Sequence, residues 1–520
     1  MDTNFYQDWE VRKPVVRGGG GVVTSHFRAA AEAGADVLRA GGNAVDAAVA
    51  ASFAISVIEP WMSGPGGCGY MLVYTAAEDR VRCIDYGTIA PGELDTADYP
   101  PAAGEGGDIF TWPAVVEDRN VHGYHSMAVP GQVDGIGFAW ENYGTRPWAD
   151  LLAPSIELAE RGLPVNWMTT LRVAAAMPDL LRYPESRNIY LPDDVPPVPM
   201  LGKPVPHIPM GRLTETLKRL ATAGHRDLYE GDIAARIAGD IQAGGGSLTL
   251  ADLSAYHARE VDPLERPFGA GRLFAAPGLT AGPTMFDVLD QSKGKIGKGV
   301  PGPSEYALWA TALDRAYTDR LSTMGDRDNQ RSPGSTTHLC VIDAQGNMVS
   351  LTQTLLSVFG SKVVLPETGI LMNNGILWFD PRPGRPNSLE PGKRPLTNMC
   401  PVMATRDGKP WFAVGASGGR RIMPAVMQVS SMLAESELGF EDAFHHPRID
   451  VSGDGRATLD TRLGDDVEAA VAAQMPVFRE EQTPYPNAFA KPNGVMYDAA
   501  TGDSLGMADV MNPVAGAVAE

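Results

Sequence analysis

The chain has 520 residues, 44% hydrophobic and 20% charged, which is ample apolar material for a large core. Its 58 Gly and 42 Pro make it loop-rich, with neither a collagen-like period nor a low-complexity bias. A net charge of −20 argues against nucleic acid as a partner, because a polyanion is repelled at long range.

The opening MDTNFYQDWEVRKPVV holds no apolar run behind a basic start. No secretory signal is expected, and the cytoplasm is the expected location. Residues 25–39 are Ala-rich and predicted helical, stopped by Gly41 and Gly42. Asn43 is the predicted N-cap of a second helix over 44–58, ending before Glu59 and Pro60. This longest apolar run would reach only about 22 Å, against a hydrocarbon core of about 30 Å. It also carries Asp46, Ser52 and Ser56, so a buried helix is expected and no membrane span. Residues 69–74 and 81–86 read as strands joined by a polar turn, and 130–325 as mostly helical, ending in the amphipathic run 305–324. Residues 325–335 are polar throughout and form the best linker candidate.

A strand is predicted over 336–343, then a loop Ala344-Gln345-Gly346 and a second strand over 347–355. A three-residue hairpin loop with Gly in the last, left-handed position is a favoured connection. It pairs Asp343 with Asn347, and counting outward sets Thr336 opposite Thr354, within reach of a hydroxyl contact. A later hairpin, 402–405 with 411–414, leads through Gly415-Ala416-Ser417-Gly418-Gly419 into a helix over 420–433.

The four cysteines, Cys68, Cys83, Cys340 and Cys400, are scattered, with no CxxC pair, and read as buried thiols. His445 and His446 are adjacent and so point apart. Nothing in the pattern asks for a metal or a cofactor.

Three motifs bear on chemistry. Residues 64–69 match G-x-G-x-x-G, but a helix precedes and a strand follows, the reverse of a dinucleotide site. A tight glycine turn admitting a neighbouring backbone is expected instead. Residues 415–419 match G-x-S-x-G between a strand and a helix, with Asp442 and His445 or His446 following. An α/β-hydrolase with Ser417 as nucleophile is therefore one alternative; a glycine turn offering amides to an oxyanion is the preferred reading. The third is Ser335–Thr336, a Thr opening a strand after a polar linker. Such a Thr can attack the preceding carbonyl, and the freed α-amine, with a pKa near 7.7–8.0, can act as base to its own hydroxyl.

From about residue 20 to its end the chain resembles the γ-glutamyltranspeptidase family of N-terminal nucleophile hydrolases. The residues that carry this are Gly41-Gly42-Asn43-Ala44-Val45-Asp46-Ala47-Ala48, the turn at 66–72, Thr336-Thr337-His338, the stretch 369–374 ending in Asn373-Asn374, and 415–419. The resemblance implies an α+β fold, a four-layer αββα sandwich. It implies a proenzyme cut between Ser335 and Thr336 into pieces 1–335 and 336–520 that form one intertwined domain, with a homodimer of such heterodimers as an expected assembly. By the same carry-over Thr336 is the nucleophile, Thr354 its hydroxyl partner, and the amides of Gly418 and Gly419 the oxyanion hole.

The family's substrate contacts are only partly matched. Gly87 stands where the family has an Arg for the glutamyl α-carboxylate, and Leu356 where it has an Asn. Gly375 and Trp378 fall where it holds the α-amino group, while Thr397-Asn398 takes the place of its Ser-Ser pair. Arg420 is a candidate partner for a substrate carboxylate, and Trp378 a candidate pocket wall. The expected activity is hydrolysis of a small amide that is not γ-glutamyl, oxamate-like or another acyl amide, through an acyl-enzyme. The alternatives are a γ-glutamyl hydrolase or transpeptidase, the Ser417 hydrolase, and an inactive scaffold of the same fold.

Overall fold

The structure, a computed structural model, describes residues 11–105, 112–323, 335–485 and 488–520. The linker expected at 325–335 therefore lies outside the described residues except for Ser335.

Two seven-stranded sheets face each other. One runs in the order Gly516–Ala519, Gly21–Ser25, Ser335–Asp343, Met348–Leu356, Cys68–Thr75, Arg80–Tyr86, Arg259–Val261. The other runs Val16–Gly18, Ser504–Met507, Lys491–Tyr497, Lys409–Ser417, Val402–Arg406, Gly271–Ala275, Leu264–Phe268. Every neighbouring pair in both is antiparallel, and each sheet mixes strands from either side of Thr336.

Strand alternation sorts the side chains into layers. Leu339, Val341, Val349, Leu351, Met71 and Val73 pack with helices Arg28–Arg39 and Ala44–Ile58. Their neighbours Cys340, Ile342, Met348, Tyr70 and Leu72 pack instead against Phe274, Met403, Ala413 and Val495 of the second sheet. The far side of that sheet, through Leu273, Val402, Phe412 and Val414, receives helices Gly282–Ser292, Pro303–Thr323 and Ile422–Ala434. The result is the four-layer αββα sandwich expected.

Asn43 caps the Ala44–Ile58 helix as predicted, its side chain accepting from the amides of Val45 and Asp46 while the Asp46 carboxylate accepts from the Asn43 amide. All fifteen residues of that helix are buried. None of the described helices is long and apolar enough to cross a membrane. All four cysteines are free and buried.

Two expectations need correction. The first helix starts at Arg28, not residue 25, because Gly21–Ser25 is a buried strand alongside Ser335–Asp343. The mostly helical middle also holds strands, three of which, Arg259–Val261, Leu264–Phe268 and Gly271–Ala275, complete one end of each large sheet. These strands are short, and two of them, Arg259–Val261 and Gly271–Ala275, join the sheets through partners remote in sequence.

Candidate active site

Ser335–Asp343 and Met348–Leu356 pair in the register counted from the loop: Ile342 faces Met348 and Thr337 faces Gln353. An irregularity follows between Ser335 and Thr337, so Ser335 faces Leu356. At that point Thr336 Oγ1 lies 3.5 Å from Thr354 Oγ1, with both residues buried. Alternation turns both side chains toward the second sheet, whereas those of Thr337 and Gln353 reach the helix layer at Glu59 and Ser52.

Thr354 is held from two directions. The Leu356 amide donates to its Oγ1 at 2.8 Å, with Leu356 at φ +86°, a conformation that is strained for a leucine. On its other side comes the glycine turn at 64–69, a close backbone approach as expected: a Cβ on Gly67 would sit 2.6 Å from the Thr354 carbonyl oxygen. Asn373 fastens this turn through the carbonyl of Gly66, and Asn374 accepts from the Ser357 amide. The Asn373-Asn374 pair therefore frames the Thr354 strand end.

The second sheet supplies the other glycine turn. Ser417 ends its strand opposite Lys491, and Gly418 and Gly419 follow at φ 142° and 62°, values suited to glycine. His445 is bonded to the Glu441 carbonyl and the Lys13 amide, and His446 stacks on Tyr306. Neither hydrogen-bonds Ser417 among the described residues, and antiparallel sheets are not the α/β-hydrolase arrangement, so that alternative lacks its triad.

Behind the Thr336 strand lies a buried polar group that the motifs did not reveal. Thr337 Oγ1 is 2.9 Å from Glu59 Oε2 and 3.1 Å from His26 Nδ1, and His26 Nε2 is 3.0 Å from the Lys491 carbonyl. Burial sets the protonation here: it pushes Glu59 up to about 7, His26 down to about 3 and Lys491 down to about 8.

The substrate-side candidates scatter more. A Cβ on Gly87 would meet Tyr70 Oη at 2.8 Å, so the position is closed to a side chain as packed. A guanidinium arrives there from elsewhere: Arg394 Nη1 donates to the Gly87 carbonyl at 2.9 Å and lies 3.3 Å from Asp85 Oδ1. Asp85 is also bound by Arg259, so two cations share one carboxylate. Asp85 and Tyr70 pair across their strands, as do Thr354 and Cys68, placing Arg394 over the sheet face that carries Thr336. No motif marks Arg394.

Gly375 is wedged against Ala128, Asn373 and Thr88. Trp378 is buried in the cluster that holds Leu356, and its indole N–H has no hydrogen-bond partner among the described residues. Thr397 is tied to the Leu279 carbonyl, whereas neither amide atom of the buried Asn398 has a partner among the described residues. Arg420 is buried in the 419–421 turn, its carbonyl accepting from Tyr317.

The fold matches that of a cephalosporin acylase from Bacillus halodurans, with a TM-score of 0.84 at 24% identity over 100% of this chain and 99% of that one. In sequence the chain is 32% identical over 502 residues to an acylase ACY 1 proenzyme of Pseudomonas sp. (strain V22), covering 89% of this chain and 88% of that protein. It is also 29% identical over 505 residues to a glutathione hydrolase proenzyme of Bacillus subtilis (strain 168), covering 85% and 82%. Sandwich and relatives together define an autoprocessed amidohydrolase of the N-terminal nucleophile class. The chain belongs to the gamma-glutamyltranspeptidase family, whose model matches residues 30–333 and 321–518.

Proposed function

We propose that this protein cuts itself between Ser335 and Thr336, and that the released Thr336 hydrolyses an amide whose acyl part carries a carboxylate but no ammonium. The observation behind the first half is the buried Thr336–Thr354 hydroxyl pair, 3.5 Å apart at the head of a strand. In the processed enzyme the Thr336 α-amine takes the proton from its own Oγ1 as that oxygen attacks the carbonyl. The amides of Gly418 and Gly419 receive the oxyanion, and the proton passes to the leaving amine. Water then hydrolyses the ester, freeing the acid and restoring Thr336.

Three features support the substrate class. Arg394 brings a cation to the same sheet face as Thr336 and shares the Asp85 carboxylate with Arg259. The position of Arg394 favours a monoamide of a dicarboxylic acid over an oxamate-like substrate, whose anion would adjoin the scissile carbonyl. Asn398 and the Trp378 indole hold polar atoms that a ligand could satisfy. Among the described residues, the positions that match the family's α-amino contacts offer an ammonium nothing comparable. Gly375 offers no side chain, and Asp380 is fully buried and closed by Arg382 at 2.9 Å.

Denaturing electrophoresis and a matched set of glutaryl, butyryl and γ-glutamyl anilides test both halves. The expected result is two fragments of about 36 and 20 kDa, in proportion to 55.4 kDa for the whole chain, and preference for the glutaryl compound. An intact chain that hydrolyses none of the three would overturn the proposal.

A further inference from the structure

The hydrogen bonds behind the nucleophile strand form a continuous line. It begins at Glu59, at the end of the Ala44–Ile58 helix, and passes through Thr337 and His26 to the Lys491 carbonyl. Lys491 faces Ser417 in register, one residue before the Gly418-Gly419 turn. The line thus ties the strand that carries Thr336 to the Lys491–Tyr497 strand, which pairs directly with the strand leading into the oxyanion turn.

Its protons can be counted. His26 Nε2 faces a carbonyl, so it must carry the ring proton. His26 Nδ1 is then a lone pair, and the His338 amide donates to it at 3.3 Å. Thr337 has one proton to give. If Glu59 is a carboxylate, Thr337 donates to Glu59, and its oxygen lone pair faces that of His26 Nδ1 at 3.1 Å. If Glu59 carries a proton, it donates to Thr337 and Thr337 donates to His26 Nδ1, whose lone pair it shares with the His338 amide, so the 3.1 Å contact becomes attractive.

We propose that Glu59 is a positioning residue that works in its protonated form, and that losing this proton loosens the link between the Thr336 strand and the oxyanion turn. This rests on Thr336 being the nucleophile. Charged groups reach Glu59 from two packed elements, Lys491 on its strand and Arg172 on the helix Trp167–Leu180, and both favour the carboxylate. Lys491 in turn faces Asp509, and Lys13 lies near enough to His26 to disfavour its protonation. Burial outweighs the two cations and holds the Glu59 proton up to about pH 7.

The test uses processed protein and two readouts. Infrared difference spectra across neutral pH should show a protonated carboxyl band that disappears as pH rises, and that is missing from Glu59→Gln. In the wild type, kcat/KM for a neutral anilide should fall about three- to tenfold as pH rises through about 7, which is the effect of one hydrogen bond. Glu59→Gln, whose amide donates to Thr337 at every pH, should lose this descending limb while keeping the rising limb of the α-amine. Thr337→Val, which breaks the line without changing side-chain shape, should lose the limb as well and serves if the Gln variant does not fold. A wild type with no protonated carboxyl at neutral pH, or a Gln variant that keeps the limb, overturns the proposal. A carboxyl band that behaves as expected in a protein that cleaves no amide would uphold the protonated Glu59 and reject the Thr336 assignment instead.

Discussion

Gly415 leaves its side-chain space to the ring of His338: a Cβ there would lie 2.2 Å from Cε1 and 2.5 Å from Nδ1. The ring is fixed in turn by Thr352 at 2.9 Å, and the His338 carbonyl accepts from Asn493 at 2.8 Å. The two sheets therefore meet closely two residues from Thr336 on one side and two residues from Ser417 on the other. Gly415→Ala should force them apart and cost about 1–3 kcal/mol, the usual price of overpacking a tight core. Denaturant unfolding measures this loss. An alanine variant of wild-type stability that still processes would mean that the sheet separation is adjustable.

Processing separates the two nucleophile candidates. Thr336→Ala should remain a single chain, because the attacking hydroxyl is gone. Ser417→Ala should still yield two pieces, since His445 and His446 are engaged elsewhere. Sequencing the smaller piece should read Thr-Thr-His-Leu-Cys from its first residue. If Thr336→Ala is cut at that same bond, the N-terminal nucleophile assignment fails.

What was legible in the sequence was local or periodic. The Asp343 to Asn347 loop dictates a register, and antiparallel pairing carries it unchanged to Thr337 and Gln353. The Asn43 cap depends on residues three apart. The irregularity beside Ser335 was not legible, because no residue of the loop or of either strand marks it. Glu59, His26 and Lys491 are distant in sequence and meet only once both sheets and the first helix layer have assembled. Arg394 reaches the Gly87 carbonyl from more than 300 residues away, so a missing arginine at position 87 told only part of the story.

Lys491 gives a pH prediction. An amine held down to about 8, from 10.5 when exposed, destabilises the fold wherever it is charged inside it. That cost is full below about pH 8, declines as the unfolded amine alone stays protonated, and disappears above 10.5. Lys491→Met should therefore stabilise the protein at neutral pH by about 1–3 kcal/mol, an advantage that vanishes at high pH. Because the Lys491 charge favours the Glu59 carboxylate, the same change should move the descending limb of the rate profile to higher pH. Thermal unfolding across pH checks the first effect and steady-state rates the second.

The last prediction concerns specificity. A γ-glutamyl substrate brings a carboxylate that Arg394 can meet and an ammonium that finds Gly375, Trp378 and an Asp380 already paired with Arg382. A charge-assisted hydrogen bond contributes about 1.5–3 kcal/mol, and a buried unpaired charge costs more. The γ-glutamyl anilide should thus fall at least about a hundredfold below the glutaryl compound in kcat/KM. Arg394→Met should narrow that gap by lowering the glutaryl rate about ten- to a hundredfold while leaving the butyryl compound within about threefold. Gly87→Arg should not rescue γ-glutamyl cleavage, because its Cβ would first have to displace the Tyr70 hydroxyl and the ammonium would still lack a partner. Wild-type γ-glutamyl hydrolysis as fast as glutaryl hydrolysis would mean that an acid other than Asp380 receives the ammonium, and the carboxylate-without-ammonium substrate class would have to be abandoned.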